Sequence, residues 1–193
     1  MEVLEVGCGT GYFTKELVKT GANIKAIDIS PDLLAVAKEN VTGGNVTFLV
    51  ENAYALGFKD ASFDSVIGSS VLHHLDVAKA LREFMRVLKP GGTIRFTEPN
   101  MLNPQIALQK NVRFIKARMG DSPDETAFFR WGLRKTLVEC GFRDVVVTPF
   151  DFLHPKTPAS LVRFFETLSG MLESVPLISE IAGSLYLEAS KEP

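Results

Sequence analysis

The residues with most to offer chemically stand at the start of the chain. Gly7, Gly9 and Gly11 alternate within Val3-Leu4-Glu5-Val6-Gly7-Cys8-Gly9-Thr10-Gly11-Tyr12-Phe13. Val3, Leu4 and Val6 read as a buried strand, with a helix starting near the last glycine. Glycine leaves no Cβ in the way of a ligand, and the free N–H groups of a helix start point at whatever lies above the turn. A second apolar run, Ile24 to Ile27, ends at Asp28, 21 residues after Gly7 (28 − 7). That spacing puts a carboxylate at the tip of the neighbouring strand, where it can accept from two ribose hydroxyls. Helix capping is the plainer task for Asp28, but Ser30 can supply that cap. A dinucleotide turn would read Gly-x-Gly-x-x-Gly, and here Tyr12 takes the sixth place. Glu5 adds an anion beside the turn, which suits a cationic or zwitterionic ligand better than a pyrophosphate. Both features disfavour a nicotinamide dehydrogenase.

Further candidates fall at later strand ends. Asn52-Ala53 follow the run Val46 to Val50, Ser69 ends Phe63 to Ser69, and Glu98 ends Thr93 to Glu98. His73 and His74 lie just past Ser69, where one of them can act as a base; packing or capping is the plainer reading. Glu98 can bind or deprotonate a substrate, or pair with Arg95 or another cation. His154 stands in a late, proline-containing loop that can reach the same place. Strands and helices alternate through this region, which implies a parallel sheet with right-handed crossovers. Ligands then bind beyond the carboxyl ends of the strands, where the strand order reverses. Gly7, Asp28, Asn52, Ser69 and Glu98 all fall on that rim.

The elements that position these residues are legible from periodicity. A first helix is expected from about Gly11 to Lys19. Ser30-Pro31 starts a second, with Leu33, Leu34, Val36 and Ala37 on its buried side. Asp76 caps a third, with Leu81, Phe84, Met85 and Leu88 facing inward. Asn103-Pro104 begins a fourth, whose Leu108, Val112, Ile115 and Met119 form an apolar stripe. Lys110, Arg113, Lys116 and Arg118 lie largely off it, as a solvated face or as cations for an anionic substrate. A helix from about Glu125 to Cys140 leads to the strand Arg143 to Thr148. Leu161, Phe165, Leu168, Leu172 and Val175 mark another helix, ended by Pro176, before a last strand, Ser184 to Ala189.

The 193 residues suit a single domain, and 46% hydrophobic against 23% charged residues allow a substantial core. A net charge of −2 (21 − 23) does not favour nucleic acid as a partner. Cys8 and Cys140 make no disulfide framework, and no Cys/His metal spacing is present. The start has no signal-peptide pattern and no stretch is long and apolar enough for a membrane span. The expectation is a reduced, cytoplasmic protein.

The motifs together resemble the class I S-adenosylmethionine-dependent methyltransferases. The resemblance runs from Val3–Gly11 through Asp28, Leu56–Asp64, Val71-Leu72-His73-His74-Leu75 and Val87-Leu88-Lys89-Pro90-Gly91-Gly92, about half the chain. It implies a Rossmann-like, doubly wound, three-layer sheet of seven strands, mostly parallel with an antiparallel last strand. It implies S-adenosylmethionine as cofactor, with Gly7, Gly9, Gly11 and Tyr12 around the methionine part and Glu5 orienting the turn. Asp28 would hold the ribose, Ile29 would lie on the adenine, and Asn52, Ala53 and Ser69 would complete the site. Asn52 stands where the family most often has aspartate, and Gly57 where proline is common.

Transfer from a sulfonium is a direct displacement that needs alignment above all. His74 and Glu98 are the candidates if the acceptor must lose a proton. The acceptor is expected to be a small molecule, lipid-linked and sugar-linked ones included. A cofactor-binding protein without turnover is the alternative. The family's upstream helical segment over the cofactor is not in this sequence. Insertions at about 99–124 and 151–183 complete a single domain. The second insertion can wall the acceptor pocket, form a homodimer or rest weakly on a membrane surface. Arg163, Glu166 and Glu173 do not make the basic face expected of the last.

Overall fold

The computed structural model describes residues 1–119, 126–153 and 157–193. Seven strands form one sheet in the order β3-β2-β1-β4-β5-β7-β6. They are β1 (Glu2–Val6), β2 (Asn23–Asp28), β3 (Val46–Val50), β4 (Phe63–Ser69), β5 (Leu88–Pro99), β6 (Arg143–Phe150) and β7 (Ser184–Ser190). The strands β1 to β5 pair in parallel, and β7 runs antiparallel to both β5 and β6. Strand order reverses between β1 and β4, so the crevice of such a sheet opens above those two strands.

Alternation along the strands feeds two cores. Leu4, Val6, Ile27, Val66, Ile94 and Phe96 face one side, packed with Leu81 and Phe84 of α3 (Val77–Val87) and Leu133 and Leu137 of α6 (Arg130–Glu139). Val3, Ile24, Ala26 and Ile67 face the other side, with Leu17 and Val18 of α1 (Thr14–Val18) and Leu34 of α2 (Pro31–Asn40). This is the three-layer sheet expected. On the α1 side the layer stops short of β5 and β7. There a cavity of about 260 Å³, lined by Phe13, Leu17, Ile67, Arg95 and Tyr186, lies open beneath the rim.

The expected caps are present: Ser30 Oγ accepts from Leu33 N–H and Asp76 from Lys79 N–H. Several helices differ from expectation. Leu33 and Val36 are exposed, because α2 is buried through Leu34 and Ala37 alone. Residues 104–119 form two helices, α4 (Pro104–Asn111) and α5 (Arg113–Met119). Val112 between them is extended, and Asn111 turns its amide onto the Ala107 carbonyl. The stripe is therefore broken, leaving Leu108 and Val112 exposed. The helix α6 begins at Arg130; Glu125 and His154 lie outside the described residues. The late helix is α7 (Val162–Glu173), and Pro176 starts a short further turn, α8 (Pro176–Ser179).

The first insertion follows β5 and leads into α6, and the second joins β6 to β7, so both leave the sheet at its carboxyl rim. Asn100 ties them together. Its side chain is fully buried, and its Nδ2 donates to the carbonyls of Glu180 and Ala182 at 2.9 and 2.8 Å. Its Oδ1 accepts from Leu102 N–H at 3.1 Å. Arg130 pairs with Glu180 at 2.8 Å. Replacing Asn100→Ala leaves buried carbonyls unmatched and should lower the free energy of unfolding in urea by about 2–3 kcal/mol.

Candidate functional site

The site begins where β1 turns. Gly7, Gly9 and Gly11 all have positive φ, the conformation that makes glycine the natural choice there. Their surroundings differ. A Cβ on Gly7 would run into the Val71 side chain, which reaches across from the loop after β4. A Cβ on Gly11 would meet Val41 Cγ2 at 2.8 Å and Ala37 Cβ at 3.2 Å, so this glycine seats the turn on α2. A Cβ on Gly9 would meet nothing within 4 Å. That open position is the surface a ligand can approach.

The tip of β2 holds the turn in place. Asp28 Oδ2 accepts from Gly9 N–H and Oδ1 from Ser30 N–H, both at 2.9 Å. Cys8 N–H donates to the Ile27 carbonyl at 3.0 Å. Asp28 thus faces the turn, with lone pairs remaining on each oxygen. Ile29 and Tyr12 flank this place as exposed apolar groups, 71% and 85% accessible.

Glu5 lies beneath the turn and is buried, as is Thr14 beside it. Burial pushes the Glu5 carboxyl up to about 7, and the neighbouring Thr14 hydroxyl pulls it part of the way back. The two make no hydrogen bond of ordinary geometry, and Glu5 Oε2 has no partner. Burial, with the charges of Glu5 and Asp28, raises the Cys8 thiol to about 12. Cys8 is therefore no nucleophile at neutral pH.

Across the crevice, Glu98 is buried to 1% exposure at the end of β5. Its Oε1 accepts from Val71 and Leu72 N–H at 3.0 and 2.7 Å. Its Oε2 accepts from His73 N–H at 3.3 Å and lies 2.7 Å from His73 Nδ1. Glu98 thereby organises the 3₁₀ turn Leu72–His74, placing exposed His74 at the rim with its ring 4.1 Å from that of His73. Arg95 pairs with Glu188 at 2.7 Å, so the contemplated Arg95–Glu98 pair does not form. No spacing rule signals the His73–Glu98 pair, since the two are 25 residues apart on different elements.

The remaining candidates sit on the same rim. Ser69 Oγ shares a hydrogen bond with Thr97 Oγ1 at 2.9 Å. Asn52 Oδ1 accepts from Tyr54 N–H at 2.9 Å, a local turn that occupies part of its accepting capacity. Ala53 packs against the core. Among the described residues, no cluster of His, Cys, Asp or Glu could hold a metal ion.

The raised Glu5 makes a signed prediction. A carboxyl near 7 in the folded chain against 4.5 unfolded favours folding at low pH, and that benefit is lost as pH rises through about 7. Glu5→Gln removes the titration. Between pH 5 and pH 8 its stability relative to wild type should rise by about 2–3 kcal/mol in thermal or urea unfolding without ligand.

The fit to a sulfonium nucleoside rests on these groups: an open glycine, an accessible carboxylate beside it and a buried carboxylate lacking a cation. Residues 4–96 match the methyltransferase domain family model. A demethylmenaquinone methyltransferase of Chlorobaculum tepidum is 36% identical over 59% of this chain and 46% of its own. The 2-methyl-6-phytyl-1,4-hydroquinone methyltransferase of Synechocystis is 34% identical over 82% of this chain and 52% of its own. The chain thus spans about half the length of the curated relatives it matches. A methyltransferase structure from Thermotoga maritima superposes with a TM-score of 0.73 over 99% of this chain and 82% of that one, at 21% identity. With fold and motifs in agreement, residues 4–96 carry a methyltransferase domain, and the relatives matched support a class I S-adenosylmethionine-dependent methyltransferase.

Proposed function

We propose that this chain binds S-adenosylmethionine over the Gly7–Gly11 turn and methylates a hydroquinone bearing an apolar tail. The observation that carries the cofactor part is the orphaned, buried Glu5 carboxylate under an open glycine, with Asp28 alongside. The acceptor class is supported by two curated relatives, named for demethylmenaquinone and for a phytyl hydroquinone. The bound cofactor supplies an activated methyl group on a positively charged sulfur.

The chain's own residues have distinct tasks in this reading. Asp28 accepts the ribose hydroxyls, and Ile29 and Tyr12 cover the adenine and methionine ends. Glu5 offsets the cationic amino-acid end. Asn52 and Ala53 border the adenine, and Ser69 closes the rim toward the acceptor. His74 takes the hydroxyl proton of the acceptor, which raises electron density on the ring. Glu98 touches neither ligand; it positions His74 through the amides it collects. Alignment over this rigid rim supplies most of the acceleration.

Cofactor binding without turnover is the second reading. The engagement of Asn52 Oδ1 by Tyr54, where an accepting group for adenine was expected, favours it. Release of S-adenosylhomocysteine across a panel of tailed hydroquinones separates the two. Turnover supports the first reading, while tight binding with no product on any of them supports the second.

Two variants test the assignment further. Asp28→Ala should weaken S-adenosylmethionine binding by about 10- to 100-fold in calorimetric titration. Glu98→Gln should lower kcat by at least about tenfold while leaving cofactor affinity within about twofold, because it disturbs the turn carrying His74 and not the glycine turn. Equal loss in both quantities would contradict a positioning role.

A further inference from the structure

We propose that the rim formed by α7, α8 and the α4–α5 pair rests on an anionic lipid bilayer. This extends the reading of the acceptor as an apolar-tailed hydroquinone, a molecule that partitions into lipid.

Among the described residues, the hydrogen bonds that fasten α7 to the preceding loop lie along one side. Phe152 N–H donates to Ser169 Oγ and Asp151 N–H to Glu173 Oε1, both at 2.9 Å. Ser169 Oγ donates to Glu173 Oε1 at 2.7 Å. Of the two acids that argued against a membrane face, Glu173 is thus turned toward the protein, and exposed Glu166 lies on the helix side roughly opposite the apolar stripe. Leu161, Phe164, Leu168, Met171 and Val175 recur at steps of 3, 4, 3 and 4, a stripe centred roughly 120° from Ser169. All five are exposed, Phe164 and Met171 by 65% each, and Leu177 of α8 by 86%. Arg163, Thr167 and Ser174 flank the stripe on the opposite side.

The neighbouring insertion supplies charge. Residues 101–119 contain Lys110, Arg113, Lys116 and Arg118 and no acid; Asp121, Asp124 and Glu125 follow outside the described residues. Exposed Leu108 and Phe114 lie among exposed Arg113 and Arg118. Asn103 Nδ2 donates to the Ile181 carbonyl at 2.9 Å, joining the start of α4 to the end of α8. Apolar side chains interleaved with cations match acyl chains beneath phosphate headgroups. A two-fold contact with a second copy would bring like cations toward each other, which disfavours self-association through this face.

Flotation of the purified chain with vesicles tests this. Wild type should float with phosphatidylcholine vesicles containing phosphatidylglycerol, less so at high salt. The triple variant Phe164→Asp, Met171→Asp, Leu177→Asp should lose about tenfold or more in partition. The double variant Arg113→Glu, Arg118→Glu should lose the preference for phosphatidylglycerol. These side chains are exposed, and unchanged circular dichroism and cofactor affinity would establish that both variants fold. Wild type staying unbound with both vesicle types, or the triple variant floating equally well, overturns the proposal. So does a wild-type dimer, split by the triple variant, that never floats. Turnover of a short-tailed, water-soluble hydroquinone without vesicles should survive both variants. If no hydroquinone is methylated while flotation behaves as described, the acceptor assignment fails and the lipid surface stands.

Discussion

One hydrogen bond ties the functional half of this molecule together: Gly9 N–H to Asp28 Oδ2, at 2.9 Å. It joins the bend after β1 to the tip of β2 and fixes the carboxylate beside Gly9. The parallel register of β1 with β2 makes the bond geometrically available, pairing Val6 with Ile27 just below it. The reversal of strand order between β1 and β4 then opens the space above. Val71, facing Gly7 from the loop after β4, closes the floor of that space.

Two buried glutamates divide the work across the crevice. Each is 1% exposed, yet their surroundings are opposite. Glu98 is surrounded by donors: three backbone amides and one imidazole. Such a carboxylate is a structural hub, and its effect is to hold a turn still. Glu5 has one oxygen with no partner, and burial drives its carboxyl up to about 7. A buried anion without a counter-charge weakens the ligand-free fold. In the proposed reading a cationic ligand would offset that cost on arrival, turning a cost in stability into binding energy.

Much of this was legible in sequence because it is local or periodic. The glycine spacing, Asp28 at the next strand tip and the caps at Ser30 and Asp76 follow from short-range rules, whereas the antiparallel last strand comes from the family resemblance. The misreadings share a cause. Leu108 and Val112 fit a helical stripe, but a side-chain hydrogen bond from Asn111 and the extended Val112 divide the helix. Leu161 and Leu168 also kept helical spacing, yet periodicity reports which side is apolar and not what covers it. The His73–Glu98 pair was hidden because tertiary folding alone brings the two together. Spacing placed Glu98 correctly on the rim, but its depth and its partners decide what it does.

The central claim is that Glu5 awaits a positive charge. Calorimetric titration with S-adenosylmethionine at about pH 6.5, repeated in buffers of different ionisation enthalpy, counts the protons exchanged on binding. The account predicts release of roughly half to one proton, because a carboxyl titrating near 7 must ionise as the cation settles beside it. Binding with no proton release in wild type, or with the same release in Glu5→Gln, would contradict it.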